Sequence, residues 1–115
     1  DTVRIFCDGE DVELQPQQIL YAEMSARKVC LHLQGAERDL LYTTATMADL
    51  ADLLENHGFV RTHKSILVNM EHIRDLQSTR LYLRDGTELP VSSHTASAVR
   101  KIYTQWRSAK KWVIG

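Results

Sequence analysis

Five histidines and two cysteines invite the question of whether any of them are spaced to do chemistry. His57, His63 and His72 stand six and nine residues apart. A zinc site needs tighter paired spacing or cysteine company, because its donors must converge on one ion. Cys7 and Cys30 are isolated, without C-x-x-C spacing, so no metal and no cofactor is expected. His63 and Ser65 could serve as base and nucleophile, yet such a pair also needs an oxyanion site. No G-x-S-x-G elbow surrounds Ser65. The five glycines are scattered and form no phosphate-cradling loop. The chain is therefore not read as an enzyme. What remains is cations and hydrogen-bond donors in four stretches: Arg27-Lys28, Arg61 to Ser65, Ser92 to His94, and the terminal segment with Arg100, Lys101, Arg107, Lys110 and Lys111. Arg and Lys neutralise phosphates, while Asn, His, Ser and Lys can read base edges. Taken singly, each stretch is more readily a solvated surface.

The elements that would hold these groups are mostly short strands. Residues 3–7 alternate as a strand, Asp8 to Asp11 turn the chain, and 12–15 return. Residues 19–24 and 29–33 make the next pair, joined by the short loop Ser25-Ala26-Arg27-Lys28. His32 falls on the polar side of its strand, against Val29, Leu31 and Leu33. Residues 39–43 form a further strand, and then the period changes. Thr46 is a good N-cap, Asp49 favours the helix N-terminus, and Met47, Leu50, Leu53 and Leu54 form one apolar stripe. Gly58 supplies a stop, so the spacing predicts a helix over 47–56. Ile66 to Val68 and Ile73 to Leu76 are short apolar runs; 80–84 and 87–91 flank Asp85-Gly86, the strongest two-residue hairpin signal in the chain. Ser92 or Ser93 is expected to cap a final helix whose apolar face is Val99, Ile102, Tyr103 and Trp106. One embedded helix and one terminal helix among many strands define a mostly-β domain, α+β by content.

At 115 residues, 43% hydrophobic and 25% charged, the chain has the composition of one soluble globular domain. Folding buries roughly two-thirds of such a chain's surface, enough for a core without staples. No apolar run approaches the ~18 residues of a membrane span, and no signal-peptide pattern opens the chain. The first residue is Asp1 rather than Met, which is read as the mark of a fragment of a longer protein. The net charge of −1 is unevenly spread. Residues 1–26 hold six acids against Arg4, whereas residues 90–115 hold five basic residues and no acid. A polarised domain can present a basic face at near-zero total charge. Unclustered cysteines fit a reduced cytoplasmic compartment, with both thiols in the core; a single inter-strand disulfide is the alternative.

The stretch Phe59 to Ile73, FVRTHKSILVNMEHI, closely resembles the signature of LytTR domains, DNA-binding output modules of many bacterial response regulators. The resemblance is carried by Phe59, Arg61, His63, Lys64, Ser65, Ile66, Leu67, Val68, Asn69 and Ile73. Ile19, Tyr21 and Glu23 match the family's I-x-Y-x-E strand, Met47 to Leu54 its helix, and Leu89 to Ser92 its L-P-V-S segment. Together these cover about residues 3–103. The resemblance implies an elongated, mostly-β fold whose loops enter successive major grooves, with two copies in tandem on direct repeats. It implies double-stranded DNA as partner, and an upstream receiver or other sensory domain in the full-length chain. Carried over residue by residue, the candidate contacts are Arg27, Lys28, Lys64, Ser93 and His94, with Arg61, His63 and Ser65 flanking Lys64. Lys64 and one of Arg27 or Lys28 are the foremost. Arg61, His63 and Asn69 are expected to act as scaffold or in phosphate positioning, and Glu23 as structural. One departure stands out. Many members place Arg directly after the serine of P-V-S, where this chain has Ser93. A bidentate guanine contact from there is lost. Either His94 substitutes, with a contact strengthened by protonation, or the domain has a different or relaxed target. The alternative reading is a protein-interaction or ligand-sensing β module that has kept the fold but lost DNA binding. Trp112, read as exposed, leaves self-association open.

Overall fold

A computed structural model describes residues 1–111; Trp112 lies outside them. Among the described residues, ten strands form two sheets, with two α-helices. The strands are β1 (Val3–Cys7), β2 (Glu10–Leu14), β3 (Ile19–Ser25), β4 (Lys28–Leu33), β5 (Leu40–Thr43), β6 (Phe59–His63), β7 (Ile66–Asn69), β8 (Ile73–Leu76), β9 (Arg80–Leu83) and β10 (Glu88–Pro90). The helices are α1 (Met47–Leu54) and α2 (Ala96–Lys111). The large sheet runs β2-β1-β5-β4-β3-β7-β6 and the small one β10-β9-β8, all antiparallel. The mostly-β class stands, and the described residues form a slab of 38 × 36 × 25 Å.

Two cores sit on opposite faces of the large sheet. On one face α1 packs Met47, Leu50 and Leu54 against Ile5, Val29, Leu31 and Leu67. On the other, Val60, Ile66 and Val68 meet the small sheet through Ile73, Leu81 and Leu83, and α2 through Val99. Each such side chain, once fully buried, contributes about 1.5–3 kcal/mol. A bulge between Ile19 and Tyr21 shifts the alternation of β3, so Ile19 enters the first core and Tyr21 the second.

Local chemistry explains the boundaries. The Thr46 side chain accepts a hydrogen bond from the Asp49 N–H at 3.0 Å, the expected N-cap. The helix is shorter than 47–56: it tightens into a 3-10 turn, Glu55–His57, and stops at Gly58 with φ +84°. A Cβ at Gly58 would lie 2.9 Å from Trp106 Nε1, so glycine also admits α2 to this corner. Leu53, expected in the stripe, is 40% exposed. The last helix starts later than Ser92 or Ser93 would place it: those residues form a turn, with Ser92 Oγ accepting the His94 N–H at 3.3 Å, and Thr95 directly precedes Ala96. Ile102 likewise turns outward at 43% exposure. The two-residue hairpin sits at Asp8-Gly9, where both φ are positive and Cys7 pairs with Glu10. At Asp85-Gly86 the loop is one residue longer: Gly86 N–H bonds Leu83 O, and Leu83 N–H bonds Thr87 O. The Thr87 N–H on Asp85 Oδ1 holds that carboxyl below the usual carboxylate range.

Candidate nucleic-acid interface

Antiparallel pairing decides which turns share an end of the large sheet. Ser25 pairs with Lys28, leaving Ala26-Arg27 as a two-residue tip between β3 and β4. His63 pairs with Ile66, leaving Lys64-Ser65 as the tip between β6 and β7. Since β3 pairs with β7 through Glu23 and Ile66, and Met24 N–H bonds Ser65 O at 3.0 Å, the two tips lie side by side. Arg27, Lys28 and Lys64 are exposed there, and none forms an ion pair among the described residues.

A bulge brings the third segment to the same place. On β6, Arg61 pairs with Leu67 and His63 with Ile66, so Thr62 is the extra residue. A bulged residue falls out of the ladder and needs other partners. The Thr62 carbonyl accepts the Ser92 N–H at 2.8 Å and the Thr95 hydroxyl at 3.2 Å, while the Thr62 hydroxyl donates to Pro90 O at 3.0 Å. Thr62 is fully buried. It thereby fixes the turn carrying exposed Ser93 and His94 beside the Lys64 tip. Nothing in the sequence marks Thr62 for this task; a bulge is visible only once register is known.

The remaining candidates hold the tip in shape. Arg61 Nη2 donates to Lys64 O at 2.6 Å. His63 Nδ1 lies 2.9 Å from Ser65 Oγ and 3.2 Å from Ser65 N. Because a backbone N–H can only donate, this ring nitrogen is the acceptor, and the contact closes the Lys64 turn. The base–nucleophile distance is thus met by a pair that is part of a two-residue turn. Asn69 is buried: Nδ2 donates to Pro16 O and Ile19 O, and Oδ1 accepts the Glu71 N–H. It acts as scaffold and is too enclosed for phosphate positioning. Glu23 bonds His32 Nε2 at 2.8 Å, and His32 stacks on Tyr21 at 4.1 Å.

One grouping from the sequence separates in space. Residues of α2 advance about 1.5 Å each, so Lys110 lies roughly 20 Å beyond Ala96. Lys110 Nζ binds both Glu71 carboxylate oxygens, at 2.6 and 2.5 Å, just past the end of β7 remote from the tips. Arg107 lies over the Tyr103 ring at 5.6 Å. The far half of α2 therefore does not join the tips. Asp8-Gly9 does share their end, since Cys7, Thr43 and Val29 align across β1, β5 and β4. Cys7 and Cys30 are free and buried. Burial, with the nearby Asp8 charge, pushes the Cys7 thiol up to about 11. No helix among the described residues is long and apolar enough to cross a membrane.

Unpaired cations on hairpin tips, held rigid at one end of a sheet, define a surface of the kind that DNA-binding domains offer to a phosphate backbone. The chain belongs to the LytTr DNA-binding domain family, whose model matches residues 10–104. It is 30% identical over 77 residues to the sensory transduction protein LytT of Bacillus subtilis (strain 168), a match covering 62% of this chain and 32% of that protein. The chain thus corresponds to about a third of that relative's length. A LytTr DNA-binding domain from Bacillus cereus has the same fold: TM-score 0.72 at 24% identity, covering 88% of this chain and 94% of that one.

Proposed function

We propose that this chain reads double-stranded DNA in a sequence-specific manner, as the output domain of a bacterial cytoplasmic transcriptional regulator. The observation that supports this most is the convergence of Arg27-Lys28, Lys64 and Ser93-His94 at one sheet end, all exposed and held by backbone hydrogen bonds. Side chains on such tips enter the major groove, whose successive openings lie about 34–36 Å apart along one face of the duplex. Phosphate contacts set the register, and Lys64, one of Arg27 or Lys28, and His94 meet base edges. Two copies bind direct repeats, and an upstream receiver or other sensory domain controls their pairing.

A second reading, a protein-interaction module on the same fold, is favoured by one feature. Phe6, Leu40 and Tyr42, on the outward faces of β1 and β5, are 54%, 42% and 39% exposed. Selection of bound duplexes from a random pool separates the two, followed by anisotropy across a salt series. A reader with about 4–6 phosphate contacts gives a recurring motif and a log–log salt slope of roughly −4 to −5. Lys64→Ala should weaken binding to the selected duplex by about 1–3 kcal/mol. No enrichment from folded protein, or a Lys64→Ala loss no larger than that of a remote surface substitution, supports the interaction module.

A further inference from the structure

The row of tips continues past Ser92. Val91 N–H bonds Thr79 O at 2.9 Å while the adjacent Ser92 N–H bonds Thr62 O at 2.8 Å. The chain there is a bridge between β6 and the turn joining β8 to β9. That turn is closed by Gln77 N–H on Arg80 O at 2.9 Å, and Gln77, Ser78, Thr79 and Arg80 are all exposed. Arg100, in the first part of α2, donates from Nη2 to Leu76 O at 3.0 Å, which holds its guanidinium beside the same turn. A guanidinium has five N–H donors, so one such bond leaves most of them available. Arg100 forms no ion pair among the described residues, and Arg80 has only a loose one to Glu88 at 3.8 Å.

We propose that Arg100 and the Ser78-Thr79 turn form a phosphate-binding site for duplex DNA, flanking the Ser93-His94 turn. This rests on the DNA-reading function above and adds a part of the chain that no tip of the large sheet supplies. Hydroxyls, a turn backbone and a guanidinium held by its own carbonyl contact suit a phosphodiester oxygen, which carries no sequence information. The site contributes affinity and register without selectivity. Arg107, on the same helix but at its far end, lies outside it.

The test is anisotropy with the folded protein on a selected and a scrambled duplex, across a salt series, for Arg100→Gln, Ser78→Glu and Arg107→Gln. Arg100→Gln should weaken both duplexes equally, about 5–10-fold at low salt, and make the salt slope shallower by about 1. Ser78→Glu places a repelling carboxylate on the exposed turn without touching the α2 contact, and should weaken both duplexes as well. Arg107→Gln should leave both unchanged. A wild-type slope for Arg100→Gln together with wild-type affinity for Ser78→Glu overturns the site, leaving Arg100 as a pin for α2. A loss confined to the selected duplex also overturns it, since that marks a base contact. Lys64→Ala keeps the two failures apart: if it weakens binding while these variants do not, only this site fails; if none weakens binding, the DNA reading itself fails.

Discussion

Replacing Ala26 by glycine should make the domain more stable and a poorer DNA reader. Ala26 has φ +56° at the first position of the β3–β4 tip, and Arg27 beside it does not share a positive φ. A Cβ in the left-handed region costs roughly 1–2 kcal/mol. Glycine removes that cost but gives back about 0.5–1 kcal/mol through its freer unfolded chain. The net expected gain is about 0.5–1 kcal/mol, a rise in midpoint of roughly 2–5 °C for a domain this size. The same freedom loosens Arg27, because a glycine tip samples several turn types where alanine is held in one by its strand pairing. Ordering that tip on DNA should then cost about 0.5–1 kcal/mol, a two- to fivefold weaker affinity for the selected duplex. Thermal melting and anisotropy on one protein preparation measure both quantities. Opposite signs are the essential result. If affinity rises with stability, or stays put while Arg27→Ala weakens binding, the strained tip has no part in aiming Arg27.

Three further outcomes are expected. Arg61→Ala frees the Lys64 carbonyl from its 2.6 Å contact; it should lower selectivity between selected and scrambled duplexes several-fold while changing urea stability by less than about 1 kcal/mol. Asn69→Leu removes the side-chain donor to Ile19 O and to Pro16 O, the latter keeping only the Ile19 N–H, and the acceptor of the Glu71 N–H, and should cost about 2–4 kcal/mol in urea unfolding. Cys7, fully buried, has its thiol raised from 9.0 to about 11. A raised native value means the stabilisation is complete below pH 9 and is lost as pH climbs through 11. The unfolding free energy from urea titrations should therefore drop across that window, by up to about 2–3 kcal/mol, and less steeply in Cys7→Ala; parallel slopes would show that Cys7 does not titrate in the fold.

Much of the architecture is legible because its signals are local. The Thr46 cap, the Met47-Leu50-Leu54 spacing and the alternation of 3–7 and 80–83 each reflect contacts within one element or with the nearest turn. Errors arise where two local solutions fit the same residues. Asp-Gly suits both a two-residue turn and a three-residue loop with a left-handed glycine, and cross-strand register chose the first at Asp8-Gly9 and the second at Asp85-Gly86. The tips carrying Arg27 and Lys64 could be found from polarity and resemblance. Their adjacency could not, since it depends on β3 lying beside β7 across forty residues of intervening chain. Ala26 gives no sign of a positive φ, because alanine is the residue least suggestive of one. Serine was the expected cap of α2, but Thr62 needed partners for its bulged backbone and drew the Ser92–Thr95 turn onto itself.

Net charge is a poor guide to this surface, and the sheet order explains why. Three acids of the first hairpin, Glu10, Asp11 and Glu13, lie on β2, the edge opposite β6, whereas the Asp8 carboxylate reaches over to β5 and accepts the Tyr42 N–H at 3.4 Å. Asp8 is further occupied by Arg38 at 3.5 Å, and Glu13 by Arg4 at 3.4 Å. Strands are spaced about 4.8 Å apart, so β2 stands roughly 14 Å from β4 and about 24 Å from β7. The Debye length at physiological ionic strength is about 8 Å. The acids therefore hardly weaken the field at Lys64, although they cancel its charge in any whole-chain sum. They do act on a duplex lying near their own end of the row. If Arg27, Lys64 and Arg100 bind phosphates as proposed, a duplex repelled beside Asp8 has its best seat over the β3-β7-β6 half of the sheet. On that proposal, the polarity that leaves the chain near neutral overall would tell the duplex which half of the sheet to occupy.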